Sequence, residues 1–350
     1  MRNLVFLLLL GVGLGACQKD TATTPTPTPT PTPPVTSTTT FLNPLLASGP
    51  DPWVYQKDGY YYFLSTTGGD VRIRKTAKMS ELASGPIVIA WQPTNAANSH
   101  DVWAPELHFL DGKWYIYFTA GPGNCCGGQR LWVLENASPD PTQGTWTEKG
   151  RLYTQADDYW AIDGTVFEQG GKRYLLWSGQ RANDNTQRIY IAQMSNPWTL
   201  TGLRVELSSP QYDWEKYGAV PINEGPEIIQ HDGSTFLIYS ASHCGTDFYG
   251  LGQLRMSSTA DPLVASSWTK SATPVFVQSL GAYGPGHNGF FKSKDGSEDW
   301  LIYHANSQPG QGCGDLRNPR MQKFTWNADG SPNFGTPVPI NTPLPKPAGE

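Results

Sequence analysis

One pattern of polar and apolar positions recurs five times along this chain of 350 residues. Each copy has a short polar start, an apolar strand-like run, a turn that ends in Gly and a second run rich in aromatic residues. The turn is Asp-Gly in four copies and Gly170-Gly171 in the third, and both pairs suit a tight hairpin that needs positive φ. Each copy therefore predicts a β-hairpin.

The five copies begin at leading residues that lie 53 to 63 residues apart. The leading residues are Asp51, Ala104, Asp163, Glu224 and His287. This spacing leaves room for about four strands per copy, as in a propeller blade. Further strand-like runs such as 129–134 lie between the hairpins, and no long stretch has helical periodicity. We predict an all-β, five-bladed β-propeller over residues 41–350, with 41–46 or 324–338 completing the ring.

The leading residues are chemically unequal although the repeat makes their positions equivalent. In a propeller the first strand of every blade lines the central axis, so these residues should converge at one end of the channel. Taken singly, Asp51 could cap a turn, Asp163 could belong to an Asp-Gly turn and Glu224 could be a surface acid. Hydrolysis of a glycosidic bond needs one carboxylic acid for the leaving oxygen and one carboxylate to activate water or attack. Convergence of three acids favours this chemistry.

The composition narrows the range of partners. The formal net charge is −5 and no basic stripe is present, so the sequence argues against a nucleic-acid partner. The 13 Trp and 16 Tyr offer flat apolar faces with a polar edge, which suit sugar rings, although core packing accounts for most of them.

The N-terminus indicates export. Residues 1–16 are predicted to be a signal peptide, because Arg2 precedes an apolar run too short to span a bilayer. The segment Leu14-Gly-Ala-Cys17 resembles a bacterial lipobox, which predicts a lipid on Cys17; the alternative is an ordinary cleavage site. Residues 17–40 comprise this cysteine and an extended Thr/Pro-rich linker. We expect a lipoprotein anchored to the outer membrane or cell surface.

The mature chain keeps four more cysteines, an even number in an oxidising compartment. They are Cys125, Cys126, Cys244 and Cys313. Disulfides are the favoured interpretation, and three pairings are open. A zinc site is the weaker alternative because no Cys-x-x-Cys pair or suitably spaced His accompanies them.

Five motifs in the order of the blades carry a resemblance to a known family. They are Asp51-Pro-Trp-Val54, Ser99-His-Asp-Val-Trp-Ala-Pro-Glu-Leu107, Trp160-Ala-Ile-Asp-Gly-Thr165, Asn223-Glu-Gly-Pro-Glu227 and Gly284-Pro-Gly-His-Asn288. On these motifs the chain, over roughly residues 43–335, resembles glycoside hydrolase family 43. The resemblance implies a five-bladed propeller that cleaves arabinofuranosyl or xylosyl linkages with inversion.

The resemblance also implies a role for each acid. Asp51 would be the general base that activates water, and Glu224 would be the general acid. Asp163 would orient Glu224 and raise its pKa, which agrees with the rule that a carboxyl group near a second carboxylate is harder to ionise.

Further site residues follow from the same resemblance. His287 would lie at the channel and help to bind a cation, often Ca²⁺, largely through water, with a hydrogen-bonded histidine without metal as the alternative. The chemistry itself would need no cofactor. Arg320 would reach the substrate. Trp53 and Trp103 are candidates to stack on sugar, and packing between blades is the alternative for both.

The substrate is expected from the branch that the chain resembles most. The motifs Asn98-Ser-His-Asp-Val-Trp-Ala-Pro-Glu-Leu107, Tyr212-Asp-Trp-Glu215 and Gly310-Gln-Gly-Cys-Gly-Asp315 look most like those of exo-acting α-L-arabinofuranosidases of α-1,5-linked arabinan. β-Xylosidase, endo-arabinanase and arabinoxylan debranching are the alternatives within the family. A non-catalytic sugar-binding propeller is the alternative from another class, and three buried carboxylates argue against it. We expect a monomer.

Overall fold

Five four-stranded antiparallel sheets dominate the computed structural model, which describes residues 39–123, 125–154 and 158–350. Each sheet uses four strands that follow one another along the chain. The predicted signal peptide, Cys17 and the linker up to residue 38 lie outside the described residues.

The first three sheets occupy the N-terminal part of the described chain. A short strand β1 (Thr40–Phe41) precedes them. The first sheet has β2 (Trp53–Lys57), β3 (Tyr60–Leu64), β4 (Val71–Thr76) and β5 (Ile87–Trp91). The second has β6 (His100–Leu110), β7 (Lys113–Gly121), β8 (Arg130–Asn136) and β9 (Thr147–Leu152). The third has β10 (Ala161–Gln169), β11 (Lys172–Arg181), β12 (Asp184–Asn196) and β13 (Thr199–Ser208).

The remaining sheets follow the same plan. The fourth has β14 (Asn223–His231), β15 (Ser234–Ala241), β16 (Gly250–Ser257) and β17 (Thr269–Lys270). The fifth has β18 (Tyr283–Lys292), β19 (Asp299–Asn306), β20 (Asn318–Trp326) and β21 (Pro332–Asn333), and β22 (Leu344–Pro345) comes last. Short 3-10 turns span Met79–Ser84, Ala96–Asn98, Asp213–Glu215 and Ala265–Ser267.

The predicted hairpins join the first two strands of every sheet. In the first four sheets the two turn residues both have positive φ, as a tight hairpin requires. These turns are Asp58-Gly59, Asp111-Gly112, Gly170-Gly171 and Asp232-Gly233. In the fifth sheet the connection is longer, and of Asp295 and Gly296 only Gly296 has a positive φ.

The first strands of the sheets form a closed ring. β2, β6, β10, β14 and β18 contact one another in that order, and β18 contacts β2. Five clusters of buried apolar side chains lie between neighbouring sheets, and each contains residues of both. In one of them Tyr62 of the first sheet packs its ring edge against Trp114 of the second, with ring centroids 5.4 Å apart. The prediction of a five-bladed β-propeller is confirmed.

The ring closes by packing between blade one and blade five, each of which is built from its own stretch of chain. The segment after β1 lies along β20 of blade five, where the Asn43 side-chain amide bonds both the N–H and the C=O of Met321 at 3.0 and 2.9 Å. β1 pairs with β22 outside the blades. Within the predicted tail 324–338, β21 serves as the fourth strand of blade five itself.

The four remaining cysteines form two disulfides, Cys125–Cys126 and Cys244–Cys313. The second joins a loop after β15 to the loop between β19 and β20. The described residues contain no helix that is both long and apolar enough to cross a membrane.

Candidate active site

Five residues near the N-terminal ends of the innermost strands share one unusual backbone conformation. Their φ values lie between 42° and 56°, in the left-handed region that costs a non-glycine residue of order 1–3 kcal/mol. They are Asp51, Ala104, Asp163, Gly225 and His287, and we call them the axial positions. In blades two to five the register between the first and second strands also shifts at these positions, as at a β-bulge. A bulge re-aims a side chain, in this case at the mouth of the channel.

This register corrects the sequence prediction in the fourth repeat. The axial residue there is Gly225, and Glu224 stands one place before it, at the position that Trp103 occupies in blade two. Glycine suits the axial place because a Cβ on Gly225 would lie 3.3 Å from Nδ1 of His287. The sequence carried a signal for this register, since each axial residue of blades one to four lies seven positions before the first residue of its turn.

Asp51 is buried and surrounded by cationic or donor groups. Arg317 Nη1 donates to Asp51 Oδ1 at 2.8 Å, and Thr66 Oγ1 donates to Oδ2 at 2.6 Å. His287 Nδ1 and His304 Nδ1 both lie 3.3 Å from Oδ1. Burial alone would raise the pKa of Asp51, but the positive charge of Arg317 outweighs it and holds this pKa well below its usual value. Asp51 is therefore a carboxylate at neutral pH.

Two neighbours fix the backbone around Asp51. Its N–H donates to His304 Nδ1 at 3.0 Å, so this nitrogen carries no proton. Burial, helped by the charge of Arg317, lowers the pKa of His304 to about 4, which keeps the ring neutral. Thr66 Oγ1 in turn accepts the N–H of Ala104 at 2.7 Å, which ties blade two to the same corner.

Glu224 has the opposite electrostatic environment. Its carboxyl is buried, and the Tyr249 hydroxyl donates to its Oε1 at 2.9 Å. Burial raises the pKa of Glu224 to about 7, and repulsion from Asp51 adds to this rise, while the Tyr249 hydrogen bond and Arg317 oppose it. Glu224 can therefore hold a proton near neutral pH.

Asp163 lies between the other two acids in blade order. Its Oδ2 accepts the N–H of Gly225 at 3.0 Å, and its own N–H donates to Thr119 Oγ1 at 3.1 Å. Burial raises the pKa of Asp163 well above its usual value, and repulsion from Glu224 and Asp51 raises it further. Because two buried carboxylates that repel each other cannot both ionise cheaply, the Asp163–Glu224 pair retains a proton.

A second layer of acids lies two positions further along the inner strands. Glu106 and Glu227 are both buried, and Glu106 Oε2 lies 3.0 Å from His108 Nε2. Burial and the neighbouring Glu106 raise the pKa of Glu227 well above its usual value. The pairing of Glu106 with His108 makes Glu106 a buried structural partner within the inner strands.

Comparisons with known proteins identify the family to which this propeller belongs. Residues 41–332 match the model of glycosyl hydrolases family 43. The chain belongs to this family. It is 43% identical over 317 residues to an extracellular exo-α-(1→5)-L-arabinofuranosidase of Streptomyces avermitilis, an alignment that covers 87% of the chain and 65% of that relative. It thus spans less than two thirds of the relative's length.

Two further matches agree with family 43. An extracellular exo-α-(1→5)-L-arabinofuranosidase of Streptomyces chartreusis is 40% identical over 272 residues, which cover 75% of the chain and 81% of the relative. The crystal structure of an α-L-arabinofuranosidase from Lactobacillus brevis superposes with a TM-score of 0.81 at 39% identity, covering 86% of the chain and 98% of that structure.

The prediction that Arg320 reaches the substrate in this family 43 site is wrong. Arg320 is fully buried, and its guanidinium donates to Asn318, to the Gly281 carbonyl and to Ser307. It therefore braces blade five and offers no surface to a sugar. Arg317, three residues earlier in the same segment, contacts Asp51 instead.

The predicted aromatic residues lie at different depths of the family 43 channel. Trp103 is half-buried beside the axial position of blade two, in register with Glu224 of blade four. Trp53 lies two residues beyond Asp51, where its indole N–H donates to the Leu107 carbonyl at 3.0 Å and its ring packs on His108 at 5.1 Å. Trp103 stays a candidate for sugar contact, whereas the contacts of Trp53 are those of packing between blades.

Four residues whose side chains contact Asp51 or Glu224 were not predicted from the sequence. They are Thr66, Tyr249, His304 and Arg317. His304 lies in the aromatic run of the fifth repeat, and Arg317 lies three residues before Arg320, which was predicted as a site residue. Both residues therefore lie in or next to parts of the chain that the sequence had marked. Tyr249 follows the fourth hairpin in a loop without a repeat, and no pattern marked it.

Proposed function

We propose that this family 43 protein is an inverting, exo-acting α-L-arabinofuranosidase that releases arabinose from α-1,5-linked arabinan or arabino-oligosaccharides. The names of the two Streptomyces relatives support the substrate class. One arrangement carries the chemistry: buried Asp51 accepts from Arg317 Nη1 at 2.8 Å, which holds its pKa well below its usual value, while burial of Glu224 on another blade raises its pKa to about 7. A hydrolase that works by inversion needs these two states at once.

The steps follow from these protonation states. Asp51 accepts a proton from a water molecule as that water attacks the anomeric carbon, and Glu224 Oε donates its proton to the leaving oxygen. The glycosidic bond breaks as the bond from the water oxygen forms, so the configuration inverts. Asp163 stabilises the protonated form of Glu224, because the two carboxylates repel each other when both are ionised. Asp163 Oδ2 also accepts the N–H of Gly225, which holds the backbone next to Glu224. Both acids then exchange protons with solvent.

Product analysis tests the proposal. Purified protein is incubated with linear α-1,5-arabino-oligosaccharides and, separately, with xylo-oligosaccharides. We expect stepwise release of arabinose from the first set alone. Fragments of intermediate length would indicate an endo-arabinanase, xylose would indicate a β-xylosidase, arabinose from arabinoxylan alone would indicate debranching, and tight binding without turnover would indicate a sugar-binding propeller. Each of these results contradicts the proposal.

The pH profile depends on Arg317. In the wild type we expect kcat/KM to fall above pH ~7, since Glu224 then loses the proton that it must donate. Arg317 lowers the pKa of both Asp51 and Glu224, so Arg317→Leu should move both limbs of the profile to higher pH. Arg317→Lys keeps the positive charge, so both limbs of the profile should stay close to their wild-type positions. An unchanged acidic limb in Arg317→Leu would show that Arg317 does not set the pKa of Asp51.

We also propose that His287 helps to bind a calcium ion in the channel. Among the described residues the one cluster with three His, Cys, Asp or Glu donors within reach of an ion is His243, Cys244 and Cys313, and its sulfurs are in a disulfide. An ion at His287 would therefore be held largely by water oxygens, the ligand type that Ca²⁺ prefers, with the imidazole beside it and an acidic surrounding set by Asp51 and Glu106. Such an ion would balance buried negative charge.

Metal analysis of dialysed protein tests this ion. We expect about one calcium per chain in the wild type and a clear loss in His287→Ala, because the imidazole is the proposed protein ligand. Elemental analysis by emission spectroscopy gives the stoichiometry without reference to activity. Wild-type protein without calcium, or equal calcium in both proteins, would refute the site.

Export and anchoring complete the proposal. Two relatives are named extracellular enzymes, and we propose that this chain is exported and held at the outer membrane or cell surface by a lipid on Cys17, with the Thr/Pro-rich linker as spacer. We also propose that it acts as a monomer. Cys17→Ala should move the protein from the membrane fraction to the soluble fraction, and an unchanged distribution would exclude the anchor.

A further inference from the structure

Two exposed aromatic rings stack on each other beside the site. Tyr217 and Phe248 have ring centroids 4.5 Å apart and planes inclined by 28°, yet 44% and 52% of their surfaces remain exposed. We call this pair the aromatic platform. A single exposed ring is ordinary on a protein surface, but two stacked rings from separate loops form a continuous apolar surface.

The loops that carry the aromatic platform are fastened together. Tyr217 N–H donates to Ser242 Oγ at 3.0 Å, and Tyr217 C=O accepts the N–H of His243 at 2.8 Å. The loop of Phe248 also contains Cys244, whose disulfide to Cys313 joins it to the loop of Arg317. The platform is therefore preorganised, so a ligand would lose little entropy in ordering it.

Asp247 adds a second fastening next to Phe248. Its Oδ1 accepts the N–H of Gly310 at 2.8 Å, and its C=O accepts the N–H of Gly284 at 3.0 Å. These bonds hold the loop of Phe248 against two segments of blade five. The side chain of Phe248, which follows Asp247 directly, is left facing solvent.

The position of the aromatic platform relative to Glu224 indicates which part of the substrate it would contact. Phe248 is followed at once by Tyr249, whose hydroxyl donates to Glu224 Oε1. A general acid lies beside the leaving oxygen of its substrate, so the loop of Phe248 borders the side on which the leaving chain departs. In the proposed inverting mechanism Asp51 activates water on the opposite side of the reacting carbon.

We propose that the aromatic platform of Tyr217 and Phe248 binds an arabinofuranosyl residue of the leaving chain, beyond the residue directly bonded to the sugar that is released. This inference rests on the proposed arabinofuranosidase function. The C–H face of a furanose ring packs on an aromatic surface, and the Tyr217 hydroxyl can bond a sugar hydroxyl. The platform favours longer chains over short ones, and it makes arabinan a better substrate than a disaccharide.

The ratio of kcat/KM for α-1,5-arabinohexaose to that for arabinobiose measures how much the aromatic platform contributes to the binding of longer chains. Phe248→Ala should lower this ratio about tenfold, chiefly through KM for the hexaose, since a stacked ring contributes about that factor. Phe248→Tyr keeps the ring and should restore the ratio. Tyr60→Ala is the matched control, because Tyr60 is similarly exposed at 42% but follows the Asp58-Gly59 turn at the far end of strand β2.

The outcomes separate this inference from the function beneath it. Wild-type protein that releases no arabinose from either substrate refutes the proposed function itself. If the wild type is active and Phe248→Ala has the same hexaose-to-biose ratio of kcat/KM as the wild type, the role of the platform is refuted and the proposed function stands. An equal loss on both substrates also refutes it, because this indicates damage to the pocket. If Phe248→Ala fails to fold, the same ratio measured in Phe248→Leu and Tyr217→Leu decides between these results.

Discussion

Glu224→Gln is expected to lower kcat on α-1,5-arabino-oligosaccharides by about 10³- to 10⁴-fold, at the upper end for loss of a general acid. Glutamine keeps the shape of the side chain and can still accept from the Tyr249 hydroxyl, but it has no proton to give to the leaving alkoxide. On an arabinofuranoside with a dinitrophenolate leaving group the loss should be less than about tenfold, because that anion departs without protonation. Steady-state kinetics on both substrates provides the measurement.

Glu227→Gln is the matched control for this variant. Glu227 lies three residues further along the same strand, is similarly buried and also has a raised pKa, but it pairs with Glu106 in the deeper layer. We expect a much smaller loss that is the same for both leaving groups. If Glu224→Gln lost the same factor on both substrates, or if Glu227→Gln reproduced its pattern, Glu224 would not be the acid.

The blades were predictable because their signals are local. An Asp-Gly or Gly-Gly pair fixes the turn, alternating apolar runs fix the strands, and both recur within each copy. The position of Gly225 was missed because Glu224 is the more conspicuous residue. Counting back from the turn would have found it, since the strand length between axial residue and turn is constant in blades one to four.

The contacts that tune the acids were not predictable in the same way. Arg317 meets Asp51 across 266 positions of sequence, and Tyr249 meets Glu224 from a loop that has no counterpart in the other blades. Arg317 and Arg320 look alike in sequence, and only the burial of one decides between them. The pairing of Cys244 with Cys313 depends on the same loops. Long-range loop geometry is thus the part that the repeat does not encode.

Asp51→Asn is expected to lower kcat by about 10³-fold or more on oligosaccharides and on dinitrophenyl arabinofuranoside alike. The reason lies in the water, not in the leaving group: without a carboxylate beside Arg317 nothing accepts the proton of the attacking water, however good the leaving group is. This pattern differs from that of Glu224→Gln, so the two variants together assign base and acid. The same two substrates and steady-state kinetics measure it.

Asp58→Asn provides the control for the backbone. Asp58 has φ 53°, nearly the 54° of Asp51, but it lies in the hairpin turn at the other end of β2, and asparagine tolerates this conformation well. We expect Asp58→Asn to have the activity of the wild type. We expect Asp51→Asn to have an unfolding temperature close to that of the wild type, which would show that its loss of activity is not a loss of folding. If Asp51→Asn retained activity on the dinitrophenyl substrate, Asp51 would act on the leaving group, and the assignment of acid and base would have to be exchanged.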